Sequence, residues 1–128
     1  MNIINILLVG VGGGAGSIAR YLVSKWADRN FTSVFPYGTL TVNIVGSFLL
    51  GALLALLMKK TGLHTHEWKL FLVTGFCGGF TTFSTFAGEN VTLFSQKFPA
   101  TALLYIVASV AGGLLAVWAG FALARNFF

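Results

Sequence analysis

The chain has 128 residues, 56% of them hydrophobic and 9% charged, with a mean hydropathy of +0.85. A soluble domain of this length carries roughly a quarter charged residues, so a soluble enzyme or nucleic-acid-binding module is excluded. The net charge of +5 has no soluble basic face to occupy and reads as membrane-end anchors. Residues 1–19, 30–58, 70–88 and 98–124 hold no charge at all. Each window is long enough for a hydrocarbon core of about 30 Å, which takes roughly 18–20 helical residues. The expectation is one all-α transmembrane domain over 1–128, with helices at about 3–26, 37–58, 68–95 and 100–125.

Helix one begins Met1-Asn2-Ile3-Ile4-Asn5, with no Lys or Arg, so it does not read as a cleaved signal, which needs a basic start and a small-residue cleavage site. Gly12 and Gly16 form a GxxxG ridge suited to close helix contact in lipid. The run Gly12-Gly13-Gly14-Ala15-Gly16 is not a phosphate loop, because no strand precedes it and no Lys follows it. Pro36 stands just ahead of helix two, where a missing N–H is harmless. Helix two carries Thr39, Asn43 and Ser47 at four-residue spacing. Trp26, Tyr37 and Trp68 fall at segment ends, where aromatic belts sit. Loop two holds His64 and His66, read as a solvated loop because no third metal ligand lies nearby.

Helix three contains Gly75-Phe76-Cys77-Gly78-Gly79-Phe80-Thr81-Thr82-Phe83-Ser84-Thr85-Phe86. Cys77, the single cysteine, reads as a small buried side chain. The pair Gly78-Gly79 predicts a helix break at mid-membrane depth. A break frees backbone carbonyls and N–H groups, which must find partners or line a cavity. Phe83 and Phe86, three residues apart, are expected on one helix face. Pro99 opens helix four, where Thr101, Tyr105 and Ser109 form a polar stripe. Ala108, Gly112, Ala116, Gly120 and Ala124 form a small-residue ridge on that helix, expected to serve packing.

Four helices place the N-terminus, loop two and the C-terminus on one side, with Lys59, Lys60, Lys69 and Arg125. The other side has Lys25, Arg29 and Lys97, with Arg20 just inside the membrane. Orientation is normally set by a Lys/Arg imbalance, and here there is almost none. The chain either has a fixed topology set by other details or inserts both ways, giving an antiparallel, dual-topology homodimer. A four-helix bundle fills its own core with side chains, so a conducting unit needs at least two copies.

The polar stripes suit a small anion. Asn43 offers N–H donors, and Ser, Thr and Tyr offer O–H donors. A phenyl ring presents a positive edge, so Phe83 and Phe86 could face an anion without forming the deep trap of a buried Arg; conduction needs both entry and exit. The alternative is that the hydroxyls bond their own helix and the rings are core.

The strings Gly78–Phe86, Gly38–Gly46 with Val42-Asn43-Ile44-Val45-Gly46 at its end, and Gly13–Tyr21 with Ala19-Arg20-Tyr21 at its end resemble the Fluc (CrcB) fluoride channel family over the whole chain. The resemblance implies a dual-topology homodimer in the bacterial inner membrane. It would export fluoride passively from the cytoplasm through two pores and relieve fluoride toxicity, with a structural sodium ion (Na+) at its centre. By that likeness Asn43, Phe83, Phe86, Ser84, Thr85, Tyr105 and Ser109 line the fluoride pathway. Arg20 lies in a vestibule, and the backbone carbonyls of Gly78 and Thr81 hold sodium. Where some relatives continue the helix-four track with a serine, this chain has Gly113, so the track is either shorter or completed by water.

Glu89 is expected near the end of helix three, where it either shapes the pore mouth or, as the favoured reading, pairs with a Lys or Arg. The rival function is a small dual-topology multidrug transporter, which needs a membrane-embedded carboxylate, and none is expected at mid-helix. A purely structural membrane protein is the other alternative.

Overall fold

The computed structural model describes residues 1–128. It contains four spans long and apolar enough to cross a membrane. The first is α1, Ile3–Asn30, capped by the Asn2 side chain, which accepts the Ile4 N–H at 3.0 Å. It runs past the expected end at residue 26, and Asn30 Nδ2 donates to the Trp26 carbonyl at 2.7 Å over that last turn. The second span is α2, Tyr37–Lys59. The last is α5, Pro99–Phe127, with Pro99 in its first turn.

The third span differs most from expectation. It starts at Thr65–Trp68, passes into a π-helical stretch over Lys69–Cys77, and returns to α-helix at Gly78–Phe80. These pieces together are α3 (65–80). Thr81 and Thr82 are then extended, at φ −82°, ψ 158° and φ −151°, ψ 115°. A second helix, α4, follows over Phe83–Ser95. The break is therefore at Thr81-Thr82, and Gly78-Gly79 are helical. The two glycines have different surroundings. A Cβ on Gly79 would overlap the Gly13 carbonyl of α1, whereas one on Gly78 would meet nothing within 4 Å. Gly79 serves helix contact. β-Branched threonines, which favour extended backbone, make the break. Gly46 on α2 gives it room, because a Cβ there would overlap the Thr81 methyl.

Small residues set the remaining helix contacts. On α1, Gly12 and Gly16 lie against the Phe71 and Phe76 carbonyls of α3; Gly51 and Gly120 bring α2 and α5 together at the Val117 and Phe48 carbonyls. Without a hydrophobic drive between helices in lipid, such backbone-to-backbone approaches carry the packing. The ridge of α5 is thus structural, as expected. Only 19 of 128 residues are buried, because most apolar side chains face outward. Lys59 Nζ donates to the Arg125 carbonyl at 2.5 Å, tying α2 to the C-terminal end of α5, where a cation complements the helix dipole.

Candidate functional site

The break is held from outside its own helix. Asn43, on α2, accepts the Thr82 N–H at Oδ1 (2.8 Å) and donates from Nδ2 to the Thr82 carbonyl (3.0 Å). One side chain thus satisfies both backbone groups of an extended residue, as a neighbouring strand would. A continued helix would have given that N–H to the Gly78 carbonyl. Thr82 then caps α4: its Oγ1 accepts the Thr85 N–H at 3.3 Å and lies 3.0 Å from the Thr85 hydroxyl. The Thr81 hydroxyl donates back to the Cys77 carbonyl at 2.9 Å. Asn43 therefore acts first as a clamp and keeps one Nδ2 hydrogen for another partner.

Asn43, Ser47, Thr74, Gly78, Thr81 and Phe83 line an open groove of about 470 Å³. The Phe83 ring is 79% exposed. Ser84 and Thr85 are exposed beside it. Phe83 and Phe86 lie with ring centroids 5.7 Å apart, so they do share a side of α4, but only Phe83 is open. Phe86 packs edge-on to Tyr105 at 5.0 Å. Tyr105 is fully buried, and its hydroxyl donates to Glu89 Oε2 at 3.1 Å. Ser109, one turn further on α5, has a buried hydroxyl oxygen with no hydrogen-bond partner. Its side chain is not back-bonded to its own helix, unlike those of Thr92 and Ser95. At Gly113 a Cβ would lie 3.7 Å from the Ser47 hydroxyl of α2. A protein hydroxyl from α2 thus stands where the α5 stripe lapses.

A second set of cavities opens toward loops one and three. A small one is lined by Ser17, Arg20, Tyr21, Ser24, Thr39, Thr82 and Thr85. It shares Tyr21, Ser24, Thr39 and Thr85 with an outer cavity of about 510 Å³ that reaches Lys25, Asp28, Glu89 and Gln96. Thr82 borders both this vestibule and the groove beyond the break. The expected site residues other than Ser84, which is exposed beside Phe83, thus fall into three groups. Asn43, Gly78, Thr81 and Phe83 line the groove. Arg20 and Thr85 line the vestibule. Phe86, Tyr105 and Ser109 lie along α4 and α5.

Sequence reasoning missed Ser17, Ser24 and Thr82; for Glu89 the favoured Lys or Arg partner is absent, while the side chain does line the outer cavity. The signal for the first two was present: Ser17, Arg20, Tyr21, Ser24 and Asp28 recur at helical spacing on one face of α1. Glu89 is at the middle of α4 because the break starts a new helix at Phe83. Its partners are hydroxyls and not a Lys or Arg: Thr39 Oγ1 donates to Oε1 at 2.5 Å and Tyr105 to Oε2. The third candidate span, residues 65–95, therefore includes a carboxylate. His64 Nδ1 lies 3.8 Å from Glu67 Oε2, and no three His, Cys, Asp or Glu residues gather in the structure.

Comparison with known proteins bears on this arrangement. The family described as "CrcB-like protein, Camphor Resistance (CrcB)" matches residues 7–121. The chain is 50% identical over 125 residues to the fluoride-specific ion channel FluC of Agrobacterium fabrum, covering 98% of this chain and 99% of the relative. It is 48% identical over 121 residues to the protein of that name in Rhizobium meliloti, covering 94% and 96%. It is 49% identical over 121 residues to the one in Chlorobium chlorochromatii, covering 94% and 92%. These relatives are named as ion channels, so the multidrug-transporter reading has no support among them, despite the carboxylate at Glu89.

Proposed function

The chain belongs to the CrcB family, a family of ion channels and not enzymes, and we propose that it is a passive, fluoride-selective channel working as an antiparallel homodimer. The observation that carries the reading is the clamped break. Asn43 fixes Thr82, and the first turn of α4 starts there, in the middle of a membrane span. The N-terminus of a helix carries partial positive charge and unpaired N–H groups, a ready place for an anion. Phe83 and Phe86 add ring edges. Ser84, Thr85, Tyr105 and the unpartnered Ser109 hydroxyl add O–H donors. A small anion moving from the Arg20 vestibule meets neutral donors at close intervals and no lysine or arginine to trap it. That combination suits binding firm enough for entry and weak enough for exit.

The dimer is supported by what a single protomer leaves uncovered. The groove at Asn43, Thr74, Gly78, Thr81 and Phe83 is open at mid-span, and polar backbone is not stable against lipid. A second copy in the opposite orientation covers it, and the near-equal Lys/Arg count on the two sides permits that orientation. The proposal includes a sodium ion at the centre. The Thr82 N–H that a continued helix would give to the Gly78 carbonyl goes to Asn43, and Gly78 and Thr81 both line the groove. The Gly78 and Thr81 carbonyls of two copies would hold the ion, which supplies fixed positive charge against those oxygens. An all-oxygen neutral set favours a monovalent cation over calcium or magnesium, which take carboxylates. The physiological setting proposed is the bacterial inner membrane, with fluoride leaving the cytoplasm down its gradient.

The test is fluoride efflux from liposomes holding the purified protein, with chloride as control. Fluoride efflux without chloride efflux is expected. Equal rates for both ions, or no fluoride efflux, would end the reading.

A further inference from the structure

Two carboxylates line the vestibule through which, on the reading above, fluoride enters. Asp28 and Glu89 both face the outer cavity, and a passing anion is repelled by each. Glu89 is fixed in place by Thr39 and Tyr105. Asp28 Oδ1 lies 3.3 Å from where a Cβ on Gly38 would stand, near the first turn of α2. The Pro36 cap of that helix supplies no side-chain hydrogen bond, so a carboxylate there complements the dipole.

Lys25 is the one cation lining the same cavity as both acids. Its ammonium stands over the Tyr21 ring, 5.7 Å from the centroid, and Tyr21 borders both the outer and the inner cavity. Lys25 forms no ion pair with Asp28, three residues on. Its charge is therefore free to act on the cavity. Arg20, five residues earlier on α1 and so on the other flank of the helix, lines the inner cavity. Two acids and two cations leave the vestibule near neutrality, and losing either cation makes it negative.

We infer that Lys25 is a rate-determining residue of the vestibule, whose charge offsets Asp28 and Glu89 so that a small anion can reach Arg20 and the hydroxyls beyond. The inference rests on the fluoride-channel reading. A unit charge about 10 Å from the ion's route, at an effective dielectric of roughly 40–80, changes local anion concentration about two- to fourfold. The effect depends on salt, because the screening length falls from about 30 Å at 0.01 M to about 3 Å at 1 M.

The experiment is initial fluoride efflux from liposomes at about 10 mM and about 1 M ionic strength, set with an impermeant organic salt. Lys25→Gln is expected to slow efflux about two- to fourfold at the low setting and not at the high one. Lys25→Arg should keep the wild-type rate. Adding Asp28→Asn, which retains the oxygen over α2, should return Lys25→Gln toward wild type. An equal loss at both ionic strengths marks a packing role and overturns the inference, as does an unchanged rate at low salt or failure of Asp28→Asn to compensate. Wild-type protein that passes no fluoride removes the functional reading and this inference together. Wild-type flux with salt-independent variants removes this inference alone.

Discussion

Asn43 joins the fold to the proposed path, so its replacement separates the two roles. Asn43→Ala removes both hydrogen bonds to Thr82. It leaves a buried N–H and a buried carbonyl at mid-span, each worth roughly 1–3 kcal/mol when orphaned. Interhelical hydrogen bonds measured in membrane proteins average nearer about 0.6 kcal/mol. The working range for the pair is thus about 1–6 kcal/mol. The chain can recover part of this by returning the Thr82 N–H to the Gly78 carbonyl, which would straighten the span and erase the start of α4. Asn43→Asp differs: one carboxylate oxygen still accepts the Thr82 N–H, but the other faces the Thr82 carbonyl and puts negative charge beside Phe83. Fluoride efflux should fall more than tenfold in both variants, since tenfold corresponds to only about 1.4 kcal/mol. Stability should separate them, with Asn43→Ala lowered and Asn43→Asp lowered less at neutral pH. Efflux rate and resistance to thermal aggregation in detergent are the two assays. Wild-type flux and wild-type stability in Asn43→Ala would refute the clamp.

Phe83→Ile and Phe86→Ile should each reduce fluoride flux strongly. Only Phe86→Ile should also lower protomer stability, by about 1 kcal/mol, because its ring packs on Tyr105 and aromatic pairs contribute about that much; unchanged flux in both would return the rings to plain packing. Gly79→Ala should destabilise the α1–α3 contact by about 1–3 kcal/mol through overpacking against Gly13, seen as lower thermal stability. Gly78→Ala has open space in one protomer, so its harm should show only as a smaller dimer fraction in cross-linking; loss of protomer stability instead would count against the proposed dimer face. C-terminal reporter fusions should light up on both sides of the membrane, and a signal on one side alone would remove dual topology. Exhaustive removal of sodium should lower flux or dimer stability, and full activity in its absence would remove the central ion.

The sequence by itself determined the class and the number of spans. Charge-free windows of sufficient length leave a chain no option but to cross the bilayer, and that inference needs no tertiary contact. The glycine ridges on α1 and α5 were also legible, since close approach in lipid requires small side chains at fixed spacing. So were the Thr81–Phe86 string and Asn43, because polar residues in such windows are few and demand an explanation. The exact place of the break was not legible. Gly78-Gly79 is a weak helix former by local propensity, but whether glycines break a helix or admit a neighbour depends on what lies across from them, here Gly13 on another helix. The break went to Thr81-Thr82 because a side chain 39 residues away supplied its hydrogen bonds. The partners of Glu89 were not legible for the same reason: Thr39 and Tyr105 sit on two other helices. Hydrophobic pattern is local and survives in one dimension. Hydrogen-bond completion at a helix break is a property of three dimensions, and only the packed helices decided it.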